Sequence, residues 1–272
     1  MIAVSSAVRA ATVDRLRRAG CVWAEDEARL LVEAADDPGT LAALVDRRVA
    51  GEPLEYLLGW AEFCGERITV VPGVFVPRAR TAALVAAAEA VAGPAARVVE
   101  LCCGSGALSR ALARRLHAPR LLAAVDVDPT AVACARGNLA ELAVPVLAGD
   151  LFDALPATWR GTLDLVVANA PYVPTAALDL LPAESRRYEA LVALDGGPDG
   201  LAVLRRLAAE ATSWLAPGGH LVVEVGESQV DLLASVLAEA GLLPSTWRDE
   251  SLAATAMTAR RPVGMAGQGS EN

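Results

Sequence analysis

From about residue 81 onward, short apolar runs alternate with longer segments whose apolar residues recur at helical spacing, and this alternation constrains the fold more than any other feature. The strand candidates are Val98–Leu101, Leu121–Val125, Val144–Ala148, Leu163–Ala168 and His220–Val225. Between them lie patterns such as Leu204, Leu207, Ala208 and Ala211, or Leu233, Val236, Leu237 and Ala240 closed by Gly241. Such spacing marks one face of a helix. Strands that alternate with helices pair in parallel, with helices covering both faces of the sheet, so an α/β fold is expected. Ligands in such sheets bind beyond the carboxyl ends of the strands. The residues at those ends therefore carry the functional argument.

The part before residue 81 has a different texture. Ala28, Leu31, Val32 and Ala35, then Leu41, Leu44, Val45 and Arg48, fall at helical spacing, with Gly20 and the run Asp36-Asp37-Pro38-Gly39 as punctuation. Arg67 to Pro77 instead contains two β-rich runs on either side of Pro72-Gly73, which reads as a hairpin or an extended connector.

Composition excludes several functions. The net charge is −9 and the pI about 4.9, so a nucleic-acid backbone would be repelled. The clusters Arg15/Arg17/Arg18, Arg47/Arg48 and Arg114/Arg115 sit in helical patterns and read as solvated faces. Five cysteines without paired spacing fit neither a disulfide framework nor a zinc site. The N-terminal stretch does not read as a signal peptide, and no uncharged apolar run is long enough for a membrane span. A cytoplasmic location and no direct nucleic-acid or membrane partner are expected.

Four strand ends carry candidate chemistry. The first strand runs into Glu100-Leu-Cys102-Cys103-Gly104-Ser105-Gly106, where glycines let a ligand approach the backbone and the following helix N-terminus favours an anionic group. This spacing is not that of the dinucleotide loop, since Ser109 stands where the third glycine belongs. Asp126 ends the next strand, where a carboxylate can accept hydrogen bonds from two ribose hydroxyls. Asp150 ends the third, within reach of an adenine amine. Leu163–Ala168 leads into Asn169-Ala170-Pro171-Tyr172. The two histidines, His117 and His220, are expected to be structural.

The last tetrapeptide resembles the Asn-Pro-Pro-Tyr motif of methyltransferases that act on planar amides and exocyclic amines. An amide nitrogen is a poor nucleophile because its lone pair is delocalised. In the chemistry that this resemblance implies, the Asn169 side-chain oxygen and the Ala170 backbone oxygen accept its two N–H bonds and aim it at a sulfonium methyl. Pro171 shapes the turn, and Tyr172 stacks on the amide plane. The electrophile belongs to S-adenosyl-L-methionine, so no strong base is required.

Further stretches extend the likeness: Arg48-Val-Ala-Gly51-Glu-Pro53-Leu-Glu-Tyr56-Leu-Leu-Gly59, Phe75-Val-Pro77-Arg78, Tyr188-Glu189 through Gly196-Gly197-Pro-Asp199-Gly200-Leu201, and Glu224-Val-Gly226-Glu-Ser-Gln229. From about residue 47 to 229 the chain is similar to the release-factor glutamine methyltransferases. The resemblance implies a Rossmann-like class I methyltransferase domain with a seven-stranded, mostly parallel sheet, preceded by a small helical N-terminal domain and a β-hairpin connector. The expected division is 1–66 helical, 67–80 connector, 81–263 catalytic and 264–272 flexible tail. It also implies cofactor contacts from Cys102 to Gly106 and at Asp126, Leu151 and Asn169, with Glu100 and Asp150 added by their strand-end positions. The implied acceptor is a glutamine in the Gly-Gly-Gln loop of a peptide chain release factor.

The chain departs from the family pattern at Ala170, at Ala79-Arg80-Thr81-Ala82 after Pro77-Arg78, and at Ala190. Its N-terminal helical region is also short. A small-molecule amide or amine acceptor therefore stands as an alternative, and so does an interaction module that has lost catalysis. Against the latter stand the intact Glu100, Asp126 and Asn169.

Overall fold

The computed structural model describes residues 5–263; the tail from Gly264 to Asn272, expected to be flexible, lies outside the described residues. Four helices come first: α1 Ser6–Arg18, α2 Ala24–Ala34, α3 Pro38–Val49 and α4 Leu54–Leu58. Ser5 caps α1 by accepting the Val8 N–H, and Asp37 caps α3 by accepting those of Gly39 and Thr40, with Pro38 in the first turn. Leu31, Val32, Leu41 and Val45, at the helical spacing read from the sequence, close a core of their own together with Leu16.

The hairpin lies earlier than expected. Its strands are β1 Trp60–Phe63 and β2 Glu66–Thr69, joined at Cys64-Gly65, both with positive φ (51° and 81°). Two such residues form the turn whose twist matches paired strands. Residues 70–78 do not form a ladder across Pro72-Gly73, because Pro72 and Pro77 lack N–H groups. Val70, Val74 and Val76 instead bury themselves beside Tyr56, whose hydroxyl donates to the Val74 carbonyl at 2.6 Å.

The chain continues with α5 Ala82–Val91, β3 Arg97–Leu101, α6 Ala107–Arg115, β4 Arg120–Asp126, α7 Pro129–Leu139, β5 Val146–Ala148, β6 Leu163–Ala168, α8 Ala183–Tyr188, α9 Ala202–Trp214, β7 Leu215–Glu224, α10 Val230–Glu239, β8 Leu243–Asp249 and β9 Ala254–Arg260. The seven-stranded sheet has the order β5-β4-β3-β6-β7-β9-β8, with β9 antiparallel to both its neighbours. Its strands alternate residue by residue between two apolar layers. Val99, Val166, Leu221 and Val223 face a core with Leu204, Leu207 and Trp214. Val98, Leu165, Val167 and Val222 face Leu84, Leu108 and Leu112. Burial on both faces is what makes these strands read as continuous apolar runs. The strand order reverses between β3 and β6, and a crevice opens there at their carboxyl ends.

Candidate active site

A cavity of about 710 Å³ occupies that crevice. All the strand-end residues singled out above line it except Gly106; Glu100, Cys102, Cys103, Gly104, Ser105, Asp126, Asp150, Leu151, Asn169, Ala170, Pro171 and Tyr172 meet at one site. Gly106 stands just behind, at φ 77°, where a Cβ would press within 3.0 Å of Leu139 on α7. Its lack of a side chain sets how closely α6 and α7 approach.

One wall is the loop after β3. Cys103 N–H donates to the Val125 carbonyl at 2.9 Å and Gly104 N–H to Asp126 Oδ2 at 2.7 Å. The other Asp126 oxygen accepts the Asp128 N–H at 2.9 Å. Cys102 and Leu151 hold left-handed backbone angles (φ 55° and 49°), a strained conformation for residues other than glycine that concentrates at ligand sites. Glu100 is buried and accepts the Ser109 N–H at 2.8 Å. Burial pushes its carboxyl up to about 8, and burial raises that of Asp126 too. The Cys102 thiol is driven up by burial first and then by Asp126 and Glu100, so it stays protonated. Asp150 is exposed and paired with Arg206 at 2.7 Å, both at the cavity rim.

The opposite wall is the turn after β6. Ala170 is buried, and the Tyr172 carbonyl accepts Gln229 Nε2 at 3.0 Å. The Tyr172 hydroxyl donates to Glu224 Oε1 at 2.8 Å and accepts from Arg80 at 2.6 Å. Burial, then the Glu224 charge, raises its phenol well above the usual range. Asn169 Nδ2 donates to Thr81 Oγ1 at 3.4 Å, and the Thr81 hydroxyl donates to Glu224 Oε2 at 2.8 Å. Arg78 pairs with buried Glu189 at 2.6 Å. Sequence reasoning did not find the Arg80–Thr81–Glu224 set. Its signals were present, since Arg80 and Thr81 lie in a departure from the family pattern and Glu224 in a matching stretch.

Neither histidine lines the cavity. Burial and Arg260 push His220 down, which keeps it neutral in the sheet. Among the described residues no group of three or more His, Cys, Asp or Glu side chains is arranged to hold a metal, and no helix is long and apolar enough to cross a membrane.

A mostly parallel sheet with this strand order, a glycine loop bound to an acidic strand end, and an Asn-x-Pro-Tyr turn across the crevice define a methyltransferase domain. Residues 98–190 match the methyltransferase-domain family. A methyltransferase from Pyrococcus furiosus superposes with a TM-score of 0.55 over 74% of this chain and 91% of that one, at 15% identity. A release factor glutamine methyltransferase of Geobacter sulfurreducens is 40% identical over 210 residues, covering 75% of this chain and 72% of that protein. The chain belongs to the release factor glutamine methyltransferase family. A 4-amino-L-phenylalanine/4-methylamino-L-phenylalanine methyltransferase of Streptomyces pristinaespiralis is also similar, 38% identical over 199 residues, covering 71% of this chain and 66% of that protein.

Proposed function

We propose that this chain transfers a methyl group from S-adenosyl-L-methionine to the side-chain amide of a glutamine in a peptide chain release factor. The carrying observation is the opposition, across one cavity, of the Asp126-bound glycine loop and the Asn169–Tyr172 turn. The residues fit the cofactor. Asp126 accepts one backbone N–H on each oxygen, and the lone pairs that remain suit ribose hydroxyls. The Asp126 carboxylate favours the positive charges of a sulfonium and an ammonium, and Glu100, which keeps its proton up to about pH 8, lines the same wall as a neutral polar group. The open backbone at Gly104 admits close approach, and Leu151 and Asp150 border the space for the base. Bound there, the cofactor supplies an electrophilic methyl.

The chain's own residues do the positioning. The Asn169 side-chain oxygen and the Ala170 carbonyl accept the two N–H bonds of the acceptor and so fix the direction of its lone pair. Tyr172, held at its hydroxyl by Glu224 and Arg80, keeps its ring against the acceptor plane. Helices α1–α4 are assigned to engaging the protein target. The similarity to the Streptomyces enzyme favours, as a second reading, a free aromatic amine as acceptor.

Incubation of the purified chain with methyl-labelled cofactor and, separately, with release factors and with 4-amino-L-phenylalanine tests both. Label on a release-factor glutamine is expected. Label on the amino acid alone would replace the first reading by the second, and label on neither would remove both.

A further inference from the structure

Asn169 can present either end of its amide to the cavity, and only the oxygen end accepts a hydrogen bond from an acceptor N–H. The selection between the two ends is made two side chains away. Glu224 is 4% exposed at the end of β7. Its Oε1 receives the Tyr172 hydroxyl at 2.8 Å and Arg80 Nε at 3.2 Å, and its Oε2 receives the Thr81 hydroxyl at 2.8 Å. A carboxylate only accepts, so the single Thr81 proton is committed to Glu224. Thr81 then has only a lone pair to offer Asn169, which must answer with Nδ2, as the 3.4 Å contact has it.

We propose that Glu224 is a positioning residue which, through Thr81, locks Asn169 with its carbonyl oxygen toward the acceptor and so restricts the site to acceptors that carry an N–H. The proposal rests on the role given to Asn169 above. It differs from a simple anchoring role for Glu224, because Glu224→Gln would keep the anchor and reverse the polarity. Arg80 is an obligate donor, so the side-chain oxygen of the introduced glutamine stays on the Arg80 side and its NH₂ faces Thr81. Thr81 must then accept from that NH₂ and donate to Asn169. Asn169 turns its oxygen to Thr81 and its NH₂ to the cavity, donor against donor.

The test combines two readouts. In the free protein, nuclear Overhauser contacts between the Asn169 δ-amide protons and the Thr81 methyl are expected in the wild type and are lost in Glu224→Gln. In single-turnover transfer to whichever of the two acceptors above the wild type methylates, Glu224→Gln is expected to lose about a hundredfold with cofactor affinity unchanged. The double variant Glu224→Gln/Asn169→Asp recovers most of that loss, because a carboxylate at 169 accepts at both ends and receives the reversed Thr81 proton. Should Glu224→Gln fail to fold, Thr81→Val against Thr81→Ser decides: the serine keeps turnover and the valine loses it. Wild-type turnover in Glu224→Gln, absence of rescue in the double variant, or equal activities of the two Thr81 variants would overturn the relay. Asn169→Ala separates the two claims. If that variant retains turnover, the role of Asn169 itself falls; if it is inactive while Glu224→Gln is not, only the relay falls.

Discussion

Asp126 Oδ2 accepts the backbone N–H of Gly104 at 2.7 Å, tying the end of β4 to the glycine loop that follows β3. The residue suited to a ribose is thus also the one that holds the loop in shape. Asp126→Ala removes the acceptor for two backbone N–H groups together with that for the ribose. Cofactor binding is expected to weaken by about 1–3 kcal/mol, the cost of an unmade polar contact. Titration calorimetry measures it, and circular dichroism checks that the fold persists. Preferential binding of NAD by the wild type would contradict the cofactor assignment outright.

Glu100 makes stability depend on pH. Burial pushes its carboxyl from the usual 4.5 up to about 8. Between those values the folded chain holds a proton that the unfolded chain has released, so unfolding is favoured progressively as pH rises through that window. This contribution to stability is fully present below pH 4.5 and is lost by about pH 8. Glu100→Gln keeps an acceptor for the Ser109 N–H and is expected to flatten the decline. Denaturant midpoints from about pH 5 to 9 for both proteins would show it; parallel curves would refute the assignment.

Arg48 bridges the helical segment to the catalytic part, donating to Glu27 at 2.7 Å and to Glu184 at 3.0 Å. The Glu27 side chain is only 10% exposed. Arg48→Ala would strand that carboxylate, at a cost of about 3 kcal/mol, the low end for breaking a buried pair because solvent still reaches Glu184. Urea unfolding measures the loss. The double variant Arg48→Ala/Glu27→Ala is expected to recover part of it.

Gly200 holds the Tyr172 turn from behind. Its φ is 79°, and a Cβ there would fall inside the contact distance of both the Tyr172 carbonyl and Gln229 Nε2. Gly200→Ala is therefore expected to lower stability by about 1–3 kcal/mol, and to lower turnover more than cofactor affinity, since it displaces the acceptor wall alone. Equal effects on both would place the disturbance elsewhere.

The central strands were legible because they are buried on both faces, as Val166 and Val167 show in adjacent layers. The two last strands were not. Edge strand β8 alternates exposed and half-buried residues and carries Ser245, Thr246 and Arg248, while β9 is buried mainly through small residues, Ala254, Thr255, Ala256, Thr258 and Ala259, whose apolar signal is weak. The hairpin was misplaced for a related reason: Cys64-Gly65 is an uncommon turn pair, whereas Pro72-Gly73 looked like one. Strand-end residues such as Asp126 and Asn169 could be read directly, because a parallel sheet brings all its carboxyl ends together. The Thr81 relay could not, because it joins residues 88 and 143 positions apart, a juxtaposition that no local pattern encodes.

Ala170 stands where the family motif has proline, and its surroundings make the change nearly silent for methyl transfer. It lies two residues past Ala168, the last residue of β6 paired with β3 and β7, so its N–H is not part of the sheet ladder. The group assigned to the acceptor is its carbonyl, which proline also carries. A proline at 170 would hold φ near about −65° and bias Asn169 toward extended backbone, which suits a residue leaving a strand. Its ring would have to fit a position that is 1% exposed, and this packing is the main source of cost. Ala170→Pro is therefore expected to lower stability by about 1–3 kcal/mol, as for a small overpacking, while keeping single-turnover transfer within a few-fold of the wild type. A loss as large as that of Asn169→Ala, with cofactor affinity intact, would mean that the carbonyl at 170 is aimed differently in this chain, and the two-acceptor account of the site would have to give way to one in which Asn169 acts alone.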